Sequence, residues 1–349
     1  KNQCVFKKLK TLYNRFNQIE LICMEVSMST KIELLKFLDE NYGSFVSGEC
    51  LAQTLGVSRA AVNKAASALK KSGYKILSRP SQGYKLLEKI DILTEESIGS
   101  KINEACKLMV FDEIDSTNNF AHSLPSSDVP QVIVANSQTA GKGRLGRSFM
   151  SPSDSGIYLT VAFRPNFDLN KSPFITMASA LAVCKALESV CDISPKIKWV
   201  NDIFYKNKKV CGILTEAQTN LETGRIDKLI IGIGINCFPS KFPEEIADIA
   251  GSVADENGAF SRSTLAGAVA DNILAMIKEF PSTNFLPEYR RKCFILGKDI
   301  YVHTIADGKR IKARALDIDD KGGLVVEYME GVRMREIETL SSGEVSIRQ

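Results

Sequence analysis

The chain has 349 residues, 44% of them hydrophobic, and carries 45 Lys+Arg against 41 Asp+Glu for a net charge of +4, which leaves room for two or three domains with real cores. No uninterrupted apolar run of about 18 residues occurs, so no membrane span is expected. The nine cysteines form no CxxC pair and the two histidines, His122 and His303, fall in different segments, so a zinc site, a redox dithiol or a His-centred triad has no support.

The charge is uneven. Residues 1–90 hold 15 Lys+Arg against 7 Asp+Glu, while the remainder is mildly acidic, so the front end is suited to a polyanion. Scattered cysteines inside apolar runs fit buried, reduced thiols and a cytoplasmic protein. Residues 1–28 are read as an extension: Leu9, Leu12, Phe16 and Ile19 have helical spacing, no apolar region precedes a cleavage site, and Met28 is a candidate start.

Residues 29–92 predict three helices and a hairpin. Ser29 or Thr30 caps the first helix, and "SGECLAQTL" forms the second. Gly56-Val57 makes a tight turn, and Ser58 caps a third helix that presents Arg59, Asn63 and Lys64. The hairpin "YKILSRPSQGYKLLE" adds Arg79 and Lys85. Two short helices around a glycine turn, followed by a basic hairpin, describe a winged helix-turn-helix. Its DNA-binding candidates are Ser58, Arg59, Asn63 and Lys64. "KIDILTEESIGSKIN" is read as a link to the next domain.

Residues 105–296 alternate strands and helices. "VFDEIDSTNNFAHSL" is a strand and then a helix opened by Ser116, Thr117 and Asn118. "PQVIVANSQ" is a buried strand, "GIYLTVAFRP" another, and "SPFITMASALAVCKALESV" a long helix with Ser172 as cap and Pro173 at its first position. "IKWVNDIFYKNKKVCGILTEAQ" gives three strands and two turns, "KLIIGIGINCF" a further strand, and two helices follow near 264–279 and 285–295. Antiparallel strands with helices to one side predict an α+β domain. From 298 to 349 short strands with polar turns, at Asp307-Gly308 and Lys321-Gly322-Gly323, predict a small β-barrel.

The chemistry concentrates in two stretches. "QTAGKGRLGRSFMSP" (138–152) has three glycines and three cations, and no means of burying itself. It lacks the Walker pattern. Gly141, Gly143 and Gly146 match a dinucleotide fingerprint by letter, but a strand and a second flexible segment surround them instead of a βαβ unit. The reading is a loop that closes over an anion, with Lys142, Arg144 and Arg147 holding phosphate or carboxylate. In "KWVNDIFYKNKKVCGILTEA", Asn201 and Asp202 suit ribose hydroxyls or a hydrated Mg²⁺ near phosphate. Lys206 and Lys208 read as a solvated hairpin tip.

Together these stretches resemble the biotin–protein ligases, whose signatures are a GRGRxGR-type loop and a KWPND…K(L/V)xGIL strand pair. Here they stand as Gly141 to Arg147, as Lys198 to Asp202, and as Lys209 to Leu214. The likeness extends to "DSTN" at 115–118, to Gln138, to "GIGIN" at 232–236, and to both ends of the chain, where the winged helix resembles the repressor domain of the bifunctional members. It implies a central mixed α/β domain of the class II synthetase and biotin–lipoate ligase type, and a C-terminal SH3-like barrel.

The resemblance also implies a reaction. Biotin and ATP with Mg²⁺ give biotinyl-5′-AMP, from which biotin passes to a lysine of a biotin carboxyl carrier protein. It implies a biotin-responsive repressor as well, a homodimer when the adenylate is bound, on operator DNA. The implied catalytic residues are Lys209 and Arg144. Biotin would meet Ser116, Thr117, Asn118, Gln138, Lys142, Gly143, Arg144, Lys209 and Gly212. The nucleotide would meet Arg144, Arg147, Phe149, Asn201, Asp202 and Asn236. No protein-only metal site is implied. Three positions depart from the family pattern: Lys142 stands for Arg, Val200 for Pro, which would loosen its turn, and Phe149 for Trp.

Overall fold

The computed structural model describes residues 30–31, 33–71, 74–87, 91–167, 172–219, 226–255, 260–303, 310–341 and 344–346. The helical spacing read at 9–19, the Ser29 cap and the Asp307-Gly308 turn lie outside them. The chain divides into two compact units, between Ile92 and Leu93.

In the first unit, helix α1 (residues 33–40) buries Leu34, Leu35 and Leu38. Helix α2 (Gly48–Thr54) is capped by Ser47, whose hydroxyl accepts from the Cys50 amide at 3.1 Å. Gly56 turns the chain at φ +64°, a conformation that disfavours other residues. Ser58 then accepts from the Ala61 amide at 3.1 Å and starts α3 (Arg59–Lys71). Val62, Ala65, Ala66 and Leu69 recur at helical spacing and face inward, leaving Arg59, Asn63 and Lys64 exposed. Strands β1 (Ile76–Arg79) and β2 (Gly83–Leu86) form the antiparallel wing. Arg79 and Lys85 both lie over the Phe45 ring, at 5.3 and 5.7 Å from its centre.

The second unit is built on a seven-stranded sheet. Its strands are β3 (Lys107–Ile114), β4 (Gln131–Gln138), β5 (Gly156–Phe163), β6 (Lys196–Lys198), β7 (Asp202–Tyr205), β8 (Lys208–Thr219) and β9 (Ile226–Asn236), in the order β3-β4-β5-β9-β8-β7-β6. Only β3 and β4 run parallel. The segment read as a link carries a helix, α4 (Glu95–Gly99), and Leu93 and Ile98 are buried in the main core.

The helices are not all on one side, as the sequence suggested. Helices α6 (Ser172–Cys191) and α8 (Arg262–Glu279) cover the face that presents Val132, Val134, Val161, Leu229 and Ile231. Helix α5 (Thr117–Ser123) packs Ala121 on Ile133, Ala162 and Ile230, the residues between them, which point the other way. Among the described residues α6 also has the length and composition of a membrane span, over Phe174–Cys191, although charged and polar residues interrupt it. Most of that stretch is buried in the core, which accounts for its apolarity. It begins at Ser172, the residue expected as its cap, and so one residue earlier than expected.

Helices α7 (Glu244–Ala247) and α9 (Leu286–Lys292) complete the layer set. The C-terminal part is a five-stranded antiparallel sheet of β10 (Asp299–His303), β11 (Arg310–Ile318), β12 (Leu324–Tyr328), β13 (Ile337–Leu340) and β14 (Glu344–Ser346), in the order β13-β12-β11-β10-β14. It shares the main core through Ile300, Ala313, Leu324 and Val326. The Trp199 indole donates to the Gly322 carbonyl at 3.1 Å, and Arg290 Nε donates to the Ile318 carbonyl at 2.8 Å.

The thiols at 50, 106, 184, 191, 211, 237 and 293 are free. Burial pushes Cys184 up to about 12 and Cys293 up to about 11, and raises Cys211 well above the ordinary thiol value. The thiolate is the nucleophile in alkylation. Brief iodoacetamide treatment of the native protein near pH 7.5 is therefore expected to label exposed Cys50 and spare Cys184, Cys211 and Cys293. Peptide mapping checks this; early labelling of Cys211 would contradict the packing described.

A candidate ligand pocket on the sheet

On the face occupied by α5, the sheet is missing side chains where two strands meet. Gly212 of β8 pairs with Gly234 of β9, and Leu214 with Gly232. A Cβ on Gly232 would stand 2.3 Å from Asn118 Oδ1, and one on Gly234 would stand 2.5 Å from the Phe149 ring. Glycine is therefore required at both positions by close approach. The hollow that results is a cavity of about 300 Å³, within the range of small-molecule sites.

All the residues that the resemblance assigns to biotin or the nucleotide line this one cavity: Ser116, Thr117, Asn118, Gln138, Lys142, Gly143, Arg144, Arg147, Phe149, Asn201, Asp202, Lys209, Gly212 and Asn236. At one end, Ser116 caps α5 and so presents Thr117 and Asn118. Gln138 Oε1 accepts from the Thr117 amide at 2.9 Å and lies 3.1 Å from its hydroxyl oxygen, while Gln138 Nε2 donates to Ser151 Oγ at 2.9 Å. Lys228, buried, donates from Nζ to the Ala121 carbonyl at 2.9 Å and so anchors the far end of α5.

The glycine-rich loop folds back on itself. The Gly143 amide donates to the Arg147 carbonyl at 2.7 Å, and the Phe149 amide to the Gly141 carbonyl at 2.8 Å. Leu145 sits at the tip with φ +56° and is exposed. Lys142 and Arg147 are at the rim. Arg144 reaches inward, and its Nη1 donates to Asn201 Oδ1 at 2.8 Å, joining the two signature stretches. Asn201 is held in turn, its Nδ2 donating to the Ile213 carbonyl at 2.9 Å. The Trp199–Val200 peptide is cis. The turn at Val200 is tied, not loosened: the Tyr289 hydroxyl donates to the Val200 carbonyl at 3.0 Å.

Lys209 Nζ lies 2.7 Å from Asp202 Oδ1. That oxygen is buried and makes no hydrogen bond of acceptable direction among the described residues, so the contact is one of charge. The segment from Phe242 to Ala250, with α7, closes the side next to Lys209, whose amide donates to the Ile249 carbonyl at 2.7 Å. Lys208 departs from its expected place at a solvated tip: Nζ donates to the Ala247 and Asp248 carbonyls at 3.0 and 2.8 Å and so caps α7. Lys206 is exposed, 3.7 Å from Asp255. Asn236 spends its amide on the Gly251 carbonyl at 3.0 Å.

Among the contributors that the sequence reading missed are Thr160, Glu216, Gly232 and Gly234. Thr160 Oγ1 lies 2.8 Å from Thr117 Oγ1 and 2.7 Å from Asn118 Oδ1. Asn118 Nδ2 donates to Glu216 Oε2 at 2.6 Å. The alternating glycines of "GIGIN" were a usable signal for the last two; nothing local marks Thr160 or Glu216.

A winged helix followed by a glycine-floored, cation-lined pocket is the arrangement that the resemblance to the biotin–protein ligases implies. The profile of the Biotin/lipoate A/B protein ligase family matches residues 110–236, that of an HTH domain residues 30–85, and that of the Biotin protein ligase C terminal domain residues 295–348. Bifunctional ligase/repressor BirA of Bacillus subtilis (strain 168) is 33% identical over 312 residues, 86% of this chain and 95% of that protein. Its namesake from Escherichia coli (strain K12) is 29% identical, over 88% of this chain and 94% of that one. A solved structure of biotin protein ligase from Aquifex aeolicus in complex with biotin and ATP aligns with TM-score 0.57 at 30% identity, covering 70% of this chain and 99% of that chain. The chain belongs to the family of bifunctional biotin ligase/repressors, BirA.

Replacing Gly232 by Ala forces a methyl into the buried Asn118–Thr160 pair. The expected cost is about 1–3 kcal/mol. Trp199 is the single tryptophan, so its fluorescence reports the second unit alone. The urea midpoint read this way should fall with an unchanged slope; an unchanged midpoint would show that the site has slack.

Proposed function

We propose that this pocket joins biotin to ATP and passes the biotinyl group to a protein lysine, and that the winged helix represses transcription in response. The observation that carries the proposal is the convergence of Lys209 and Arg144, from two separate stretches, on one cavity whose opposite end is lined by uncharged hydrogen-bonding groups. An acid with a neutral polar head fits such a site; a dinucleotide does not require it.

In the first step a biotin carboxylate oxygen attacks the α-phosphorus of ATP, the bond to the β-phosphate oxygen breaks, and pyrophosphate leaves. Two anions must approach, so cations preorganised at the reacting centre lower the barrier. Lys209 is the principal clamp, between the carboxylate and the α-phosphate. Arg144 holds the phosphate, oriented by Asn201, and Arg147 meets the outer phosphates from the rim. Lys142 and Gly143 fold over the carboxylate end, as a loop that excludes water from the mixed anhydride.

Ser116, Thr117, Gln138 and Asn118 surround the ureido ring, and the absence of a Cβ at Gly212 leaves room for the acyl chain. Phe149, lying on the Gly212–Gly234 floor, offers its ring to adenine. Asn236 and Asp202 complete the nucleotide end. Mg²⁺ would arrive with the phosphates, which it neutralises; the buried Asp202 Oδ1, without a hydrogen-bond partner, is a fitting oxygen ligand beside it.

In the second step a lysine amine of a biotin carboxyl carrier protein, of the acetyl-CoA carboxylase kind, attacks the acyl carbon. The amine loses a proton, and AMP leaves. The setting is cytoplasmic, with no membrane involved. The bound adenylate favours a homodimer, which places two copies of α3 on a palindromic operator. Ser58, Arg59, Asn63 and Lys64, with the cations stacked on Phe45, make the DNA face.

Lys209→Ala is expected to lower biotin- and ATP-dependent pyrophosphate release by at least about 10²–10³-fold in a chain that still folds, with a lower unfolding temperature because Asp202 Oδ1 loses its charge partner. Mass detection of biotinyl-5′-AMP is the direct check, and retained turnover would misplace the clamp. Lipoate offered in competition should not displace biotin. Removing residues 1–90 should spare adenylate synthesis and abolish operator binding in a mobility-shift assay.

A further inference from the structure

Asn118 lines the pocket, yet both ends of its amide are engaged inside the protein. Its Nδ2 donates to Glu216 Oε2 at 2.6 Å, and its Oδ1 stands 2.7 Å from Thr160 Oγ1. Asn118 is 4% exposed and Thr160 fully buried. From Thr160 the contacts continue to Thr117 Oγ1 at 2.8 Å, then to Gln138 Oε1 at 3.1 Å, and from Gln138 Nε2 to Ser151 at 2.9 Å. An unbroken polar chain thus crosses the floor at the end of the pocket away from Lys209.

The two ends of this chain fix its direction. At the Gln138 end, the Thr117 backbone amide can only donate, so it requires the oxygen of Gln138 to face it at 2.9 Å. At the Asn118 end, Glu216 Oε2 accepts at 2.6 Å, so the nitrogen of Asn118 faces it and the oxygen of Asn118 faces the other way. Asn118 Oδ1 is then an acceptor, the single hydroxyl hydrogen of Thr160 turns toward it, and the hydroxyl hydrogen of Thr117 closes the 2.8 Å contact to Thr160 Oγ1 while Gln138 Oε1 takes the Thr117 backbone amide. Gly232, lacking a Cβ, leaves the space in which the Asn118 amide sits. His122 Nε2, 3.5 Å from Glu216 Oε2, adds a neighbour on the solvent side.

We infer that Glu216 is a positioning residue that sets, through Asn118 and Thr160, which groups at the head end of the pocket donate and which accept. It touches no ligand, and the inference rests on the biotin reading above. Asn118 on this account orients the head-group site and is not itself the principal contact. With Gln at 216 the side chain can donate as well as accept. Asn118 is then free to turn over, Thr160 to re-aim, and the pocket to suit either polarity of ligand.

The test compares biotin with 2-iminobiotin, which carries a C=NH donor where biotin has the ureido carbonyl acceptor, in the full chain by pyrophosphate release. For Glu216→Gln the biotin KM should rise about tenfold, with kcat within about threefold. The KM for ATP should not move, and the preference for biotin over 2-iminobiotin should narrow about tenfold. Thr160→Val breaks the same chain one link on. It should give the same signature, and the double variant should be no worse than the poorer single.

Wild-type KM and preference in Glu216→Gln would overturn the inference, as would additive effects of the two changes or a loss confined to kcat. If the wild type does not consume biotin at all, the functional reading fails instead, and the two failures are told apart.

Discussion

A carboxylate and a triphosphate repel each other, and the pocket's arrangement follows from overcoming that repulsion. At 4 Å two unit charges oppose each other by about 4 kcal/mol in a protein-surface dielectric, so the reacting atoms need cations whose positions are already fixed. Lys209 has the Asp202 carboxylate at 2.7 Å, and Arg144 has Asn201 at 2.8 Å. Neither cation must be gathered from solvent when ligand arrives. Asp202 and Asn201 are themselves fixed by the short β6–β7 turn, tied by Tyr289 at Val200 and by Ile213 at Asn201.

The sheet serves this arrangement by what it omits. One face is filled by the apolar side of α6 and α8, which makes the floor stiff. The other face carries glycine at 212, 232 and 234, where side chains would otherwise fill the hollow. Placing α5 at one end and the cations at the other separates a neutral polar region from a charged one within one cavity. The first unit is governed by a different economy of residues: small Ala65 and Ala66 let α3 pack closely while its polar side stays exposed.

Much of this was legible in the residues. The cap at Ser58, the helix opening at Ser116 and the turn at Gly56 are local signals, and the structure has a turn at Gly56 and helices beginning at Arg59 and Thr117. The loop at 141–147 and the strand pair at 198–214 were recognisable by joint spacing, and the fold brings them to the same cavity. What was not legible depends on contacts across the sheet. The location of α5 opposite α6 and α8 follows from which parity of Ile133, Ala162 and Ile230 meets Ala121, a fact of pairing between strands far apart in sequence. Lys208 looked solvated because the carbonyls it caps belong to a helix about 40 residues on. Thr160 and Glu216 are ordinary strand residues until register places them under Asn118.

The C-terminal sheet is bound to its neighbour by more than contact. Trp199 and Arg290 hold backbone carbonyls at Gly322 and Ile318, Val345 borders the cavity, and the cores are continuous. Recombination between homologous chains should therefore tolerate a crossover near 92, where two separately packed bodies meet in sequence. A crossover near 297 would pair a β12 turn from one parent with an indole from the other, and such hybrids inherit a mismatched wall beside the reacting groups.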